Sequence, residues 1–199
     1  MGHRLPSKKD GIEVEMIWNE IVCLGDSLTY GARDAYGRSY PAELGKMLSN
    51  VTNEFYICHN YGVNGETSSD LLRRSWHQLK ANPGAKIALL LIGTNDTKKP
   101  TPLDIYEDNL RQIINSIKAN GKTPIVGTLP TLNFSPYYMF NREYVDKYNV
   151  SIKQLSRKMN FLMCPMDDLG DHLIDGVHLT HEGYKEMAKK WRDAILSLS

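Results

Sequence analysis

The stretch from residue 86 to residue 92 restricts this chain most. From Ile87 to Ile92 every residue is apolar. Alternation would leave one strand face for water. A run with no polar position implies a strand covered on both faces, as inside a parallel sheet. The run is also far shorter than the roughly 20 apolar residues that span a bilayer.

Other segments repeat this logic more weakly. Residues 21–24, 54–58, 124–128 and 161–164 read as further strands, each bounded by turn-forming or amphipathic sequence. Helical periodicity fills the gaps. A short helix covers 41–48. A second covers 67–80, with Leu71, Leu72, Ser75 and Leu79 on one face and Thr67 and Asp70 spaced as a capping box. Thr101 followed by Pro102 predicts an N-cap with proline at the first helical position. That helix should bury Ile105, Tyr106, Leu110, Ile113, Ile114 and Ile117 and stop at Gly121. Tyr144, Tyr148, Ile152, Leu155 and Met159 stripe another. Thr180 caps a last one carrying Tyr184, Met187, Trp191 and Ile195.

Strand–helix alternation with short connections predicts an α/β fold of three layers, α/β/α. Right-handed crossovers favour a flavodoxin-like, five-stranded parallel sheet in the order 2-1-3-4-5. The 199 residues suit one domain, residues 1–199, with residues 1–15 as a flexible or peripheral N-terminal segment. Ligands of such sheets bind at the carboxyl ends of the strands.

Charge and cysteine content narrow the function. A net charge of +1, with basic residues only in pairs such as Arg73-Arg74, Lys98-Lys99 and Lys189-Lys190, steers the chain toward neither nucleic acid nor an anionic membrane. The N-terminus has no basic-then-apolar signal pattern, so the chain reads as cytoplasmic. The 3 cysteines, Cys23, Cys58 and Cys164, are an odd number set in apolar segments and read as small hydrophobes. CxxC and HExxH spacings are missing, and no metal is expected. Neither GxGxxG nor a P-loop occurs, and no cofactor is expected.

Four short motifs fall at the expected strand ends: Gly25-Asp26-Ser27-Leu28, Gly62, Gly93-Thr94-Asn95-Asp96 and Asp175-Gly176-Val177-His178. Ser27 can be a nucleophile if a base takes its proton, or simply a turn or N-cap serine. His178 can be that base, with Asp175 three residues earlier orienting the ring; Asp-Gly is equally a common turn pair. His172, near Asp168 and Asp171, is a rival base. His3, His59, His77 and His181 show no such partner. Gly62 can offer a backbone N–H to an oxyanion or be an ordinary turn glycine. Asn95 can offer its side-chain amide or form an Asx-turn. Asp26 and Asp96 read as loop braces or helix caps, and Thr29, Tyr30 and Thr94 as supporting groups.

Jointly, these motifs resemble the four blocks of the GDSL/SGNH hydrolases, in the same order and over residues 20 to about 190. The resemblance implies an SGNH hydrolase domain. Ser27 would be nucleophile, His178 general base and Asp175 orienting acid. Ser27 N–H, Gly62 N–H and the Asn95 side chain would form the oxyanion hole. No Gly-x-Ser-x-Gly occurs, unlike the α/β-hydrolase elbow. The implied activity is hydrolysis of carboxylic esters of short acyl groups, including O-acetyl groups on a carbohydrate, with a small-molecule ester or acylated glycan as substrate. A lysophospholipase or thioesterase, or an acyltransferase with the same triad, stays open. The inter-block loops that would choose among these hold Arg33, Asp34, Tyr36 and Arg38, then Lys98 and Lys99, then Asn133, Phe134, Tyr137, Tyr138, Met139 and Phe140.

Overall fold

The computed structural model describes residues 7–9, 12–14 and 18–198. Residues 7–9 (β1, Ser7–Lys9) and 12–14 (β2, Ile12–Val14) pair antiparallel in a ladder separate from the main sheet. The remainder of the predicted N-terminal segment lies outside the described residues. No sequence pattern marks either three-residue stretch as a strand.

Five parallel strands make the main sheet: β3 (Trp18–Gly25), β4 (Phe55–Gly62), β5 (Ile87–Leu91), β6 (Thr123–Gly127) and β7 (Leu162–Cys164). Their order is β4-β3-β5-β6-β7, the expected 2-1-3-4-5 arrangement. On one side α2 (Tyr40–Thr52) packs with α6 (His181–Leu196). On the other lie α3 (Ser68–Ala81), α4 (Leu103–Ala119) and α5 (Arg142–Met159). Leu89, Leu90 and Leu91 are wholly buried between these layers, as an unbroken apolar run requires. Cys23 and Cys164 are buried and Cys58 is half-buried; all three thiols are free.

Two local expectations change. The second strand extends to Gly62, because its backbone keeps pairing with β3 through Asn60 and Tyr61. An edge strand has a solvent-facing side and tolerates such polar residues. Thr101 does not cap α4. Its hydroxyl donates to Asp96 Oδ1 at 2.9 Å, Pro102 takes the cap position, and Ile105 is turned outward at 48% exposure. The capping box of α3 forms as predicted, and Thr180 Oγ1 accepts from the Gly183 N–H at 3.1 Å. Tyr184, Met187 and Trp191 are completely buried.

The chain reverses its direction of travel across the sheet between β3 and β5, which makes the crevice beyond their carboxyl ends the place where this architecture holds ligands. Among the described residues no helix is long and apolar enough to cross a membrane.

Candidate active site

Gly25 stands between Gly62 and Leu91 in register, and the three chains leave the sheet just past this row. Asp26 turns the first of them. Its Oδ1 accepts the Leu28 N–H at 2.9 Å and caps α1 (Ser27–Tyr30). Ser27 is therefore the first helical residue rather than the cap. Its own N–H belongs to the first turn, which lacks intrahelical acceptors. Asp26 is fully buried and its other oxygen has no partner. Burial and the nearby Asp96 charge push its pKa up to about 7, against the lowering effect of the Leu28 N–H.

Ser27 Oγ lies 3.1 Å from His178 Nε2, and His178 Nδ1 lies 2.8 Å from Asp175 Oδ2. The two readings of Asp175 prove compatible. While Oδ2 meets the ring, Oδ1 closes the turn by accepting the Val177 and His178 N–H groups at 3.1 and 2.8 Å. Burial works against the charge on Asp175. Hydrogen bonds from the His178 backbone and ring, and the ring's charge, outweigh it and hold the carboxyl below its ordinary range. The Ile174 N–H donates to the His178 carbonyl at 2.8 Å, and Leu173 pairs with Leu179, so the turn is tied at its base. Tyr138 stands edge-on to the His178 ring, with centroids 5.7 Å apart.

Of the three expected oxyanion donors, Gly62 is placed differently. Its N–H is occupied by Asn60 Oδ1 at 2.9 Å, and Gly62 does not line the pocket. It must be glycine for a packing reason: a Cβ there would sit 2.0 Å from the Tyr30 nitrogen. Gly65 lines the pocket instead, at a φ of +81° with open space where a Cβ would project. The signal was available in the sequence, since Asn64-Gly65 is a turn pair that favours positive φ. Asn95 forms no Asx-turn. One hydrogen of its amide goes to the Glu66 carbonyl at 2.9 Å, so the amide's second hydrogen is left for the pocket.

A second layer fixes these loops; Asp96 in it is the expected brace, whereas Arg74 belongs to no motif. Arg74 on α3 grips Glu66 from Nε and Nη2, at 2.8 and 2.5 Å. The same Nη2 donates to the carbonyls of Tyr61 at 2.8 Å and Gly25 at 3.2 Å, joining the ends of β3 and β4 to the Gly65 loop. Asp96 accepts the Ser68 N–H and hydroxyl at 2.8 and 2.6 Å, plus Thr101. Burial raises its pKa despite those bonds. It braces α3 against the turn after β5, as a structural role requires.

The rival base is excluded by its contacts: no hydrogen bond or ion pair joins the His172 ring to Asp168 or Asp171, and Asp168 pairs with Lys190 at 2.7 Å. Two histidines expected to lack partners have them. His59 meets Glu20 at 3.0 Å and His181 meets Asp34 at 3.1 Å, contacts made between residues 39 and 147 apart in sequence. Neither lines the pocket. Among the described residues no group of three or more His, Cys, Asp or Glu is placed to hold a metal ion.

The pocket over Ser27 has a volume of about 420 Å³. Its walls above the triad are Tyr30, Ala32, Arg33, Lys98, Tyr138 and Phe140. The segment bearing the last two alternates: Tyr138 and Phe140 are half-buried against the core, while Tyr137 and Met139 are exposed.

Ser27, His178 and Asp175 thus form one hydrogen-bonded line at the switch point of a doubly wound sheet. The chain belongs to the GDSL-like lipase/acylhydrolase family, whose model matches residues 23–186. A multidomain esterase from Ruminococcus flavefaciens is 31% identical over an alignment of 220 positions, covering 88% of this chain. The chain spans only 28% of that relative's length. Among solved structures, a carbohydrate acetylesterase from Sinorhizobium meliloti superposes with a TM-score of 0.78 at 18% identity, covering 91% of this chain and 100% of its own. An acetylxylan esterase from Geobacillus stearothermophilus gives 0.75 at 22% identity, with 88% and 93% covered. At these identities the structural likeness concerns the fold.

Proposed function

We propose that this chain is a serine esterase that hydrolyses carboxylic esters of short acyl groups, including O-acetyl groups carried on a carbohydrate. The observation that carries the reading is the continuous line from Ser27 Oγ through the His178 ring to Asp175, at 3.1 and 2.8 Å. Ser27 Oγ attacks the ester carbonyl while His178 Nε2 takes its proton. Asp175, kept ionised, holds the ring by Nδ1 and stabilises the imidazolium. The tetrahedral oxyanion is met by the N–H groups of Ser27 and Gly65 and by the free hydrogen of the Asn95 amide. The alcohol leaves with the proton from His178. Water activated by His178 then attacks the acyl-enzyme and releases the acid.

Wall composition supports a short acyl group. Ala32, Phe140 and Val177 are the wholly apolar side chains lining the pocket, too few to cover a long chain. The names of the esterases that share the fold lean the same way.

The test is hydrolysis of p-nitrophenyl esters from acetyl to decanoyl by the wild type and Ser27→Ala. Activity that falls with chain length and disappears in Ser27→Ala is expected. Turnover that survives Ser27→Ala would overturn the assignment, and a decanoyl preference would move it to a lysophospholipase or thioesterase.

A further inference from the structure

The pocket's lining carries two cations and no carboxylate. Net charge is only +1, yet Arg33 and Lys98 both line the pocket and no Asp or Glu does. Asp175 lies behind the wall with both oxygens engaged.

Each cation is delivered by a feature of the site. Lys98 is the C-cap of the 3₁₀ turn Asn95–Thr97, its backbone N–H donating to the Asn95 carbonyl. The turn that presents the Asn95 amide thus presents the Lys98 ammonium as well. That ammonium lies over the rings of Tyr138 and Phe140, at 5.7 and 5.2 Å from their centroids. Among the described residues it has no carboxylate partner. Arg33 is held at a φ of +68°, a left-handed conformation uncommon for a residue with a side chain. Its Nη2 donates to the Tyr138 hydroxyl at 3.1 Å and its Nε lies 3.5 Å from Asp175 Oδ2. The two cations therefore flank Tyr138, the residue standing against His178.

That position defines which half of the substrate they meet. His178 gives its proton to the leaving alcohol, so groups beside His178 face the alcohol, while Asn95 and Gly65 face the carbonyl oxygen. Beyond Lys98 and Phe140 a second cavity of about 480 Å³ runs on to Met139 and Arg142, with Glu143 on its wall held by Lys147. The surface thus continues past the pocket on the cationic side, with room for an alcohol larger than one sugar.

We propose that this site selects esters whose alcohol carries a carboxylate close to the ester, as in an O-acetylated uronic acid residue, with the carboxylate seated between Lys98 and Arg33. The proposal rests on the esterase reading and sharpens its substrate. Both cations are exposed, so the selectivity must weaken with salt.

The probe is a methyl glucuronoside carrying one O-acetyl group, offered as the free carboxylate and as the neutral carboxamide, with p-nitrophenyl acetate measured alongside. The wild type is expected to prefer the carboxylate by about tenfold in kcat/KM at low salt, which corresponds to about 1.4 kcal/mol. The ratio should shrink toward one in 0.5 M salt on the order of a 4 Å Debye length. Lys98→Gln should collapse the ratio and Lys98→Arg should keep it. Because the ratio is taken within one variant, a partly unfolded preparation does not disturb it. Equal rates on the two sugars, with p-nitrophenyl acetate still cleaved in a Ser27-dependent way, would overturn the proposal alone. No cleavage of any of the three by folded protein would bring down the esterase reading with it.

Discussion

On the floor of the pocket, Asp96 is completely buried and accepts from Ser68 twice and from Thr101, while Arg74 binds two strand-end carbonyls and Glu66 at once. On the rim, Met139 is 91% exposed, Phe134 is 77% exposed, and the chain from residue 128 to 141 has no regular structure. The floor sits on strand ends and is over-determined. The rim hangs on loops, anchored at separate points such as Arg33 to Tyr138 and Asn133 to the Gly170 carbonyl, with exposed side chains between them. Rigid elements can hold reacting atoms within a fraction of an ångström, whereas loops can change shape without loss of the fold. Under the proposed function, chemistry and selectivity are therefore carried by separable parts of one pocket.

Substitutions can test this division from its strongest point downward. Asn95→Ala removes a floor donor and should lower kcat roughly 10²–10³-fold, with circular dichroism unchanged. Near-normal turnover would break the assignment of that amide. Gly62→Ala should cost about 3 kcal/mol of stability, because its Cβ would meet Tyr30 backbone at 2.0 Å and backbone cannot step aside. A thermal melt would show it, and an unshifted melt would mean α1 can move away from β4.

A smaller effect is expected at Asp26, whose pKa is raised by burial to about 7. An acid with a raised native pKa binds its proton more tightly folded than unfolded. Its contribution is thus greatest in acid and is lost as pH rises from its ordinary range through 7. The stability of the wild type should fall relative to Asp26→Asn between pH 5 and 8, by a difference on the order of 2 kcal/mol in denaturant unfolding. Parallel curves would show that the Asp26 carboxylate is tolerated. Asp175 behaves oppositely: its pKa is lowered, so its contribution holds at neutral pH and fades only in acid. Smallest of all, Met139→Ala on the rim should change stability by less than about 0.5 kcal/mol in a denaturant titration. A larger loss would show that the rim is more tightly bound to the core than its exposure suggests.

The same division explains what could be read from the sequence. The sheet order, the capping box at Thr67 and Asp70 and the partners Ser27, Asp175 and His178 were legible, since each depends on a short motif or a clear period. Gly62 and Gly65 both stand in turn-forming sequence, and the structure separates them: Asn60 occupies the Gly62 N–H, whereas Gly65 lines the pocket. Arg74 and the His181–Asp34 pair were invisible for another reason. They act across 49 and 147 residues, and no local pattern encodes such a meeting. The shape of the rim, where short periodic signals fail altogether, was legible only as a composition of aromatic and basic residues.

The bond from Ser27 to His178 closes a loop of 151 residues, and Tyr184 reaches back 152 residues to the Ala32 carbonyl. Contacts so distant along the chain form late, after the local helices and strands that make them possible. Under the proposed chemistry the nucleophile stands just after β3 and its base on a turn that follows β7, so most of the sheet must be made between them. Until the turn bearing His178 reaches it, Ser27 is on this reading an ordinary alcohol. Under the proposed chemistry, a chain cut anywhere between these two residues keeps the alcohol and loses its base, so activity reports that both ends of this 151-residue loop are in place.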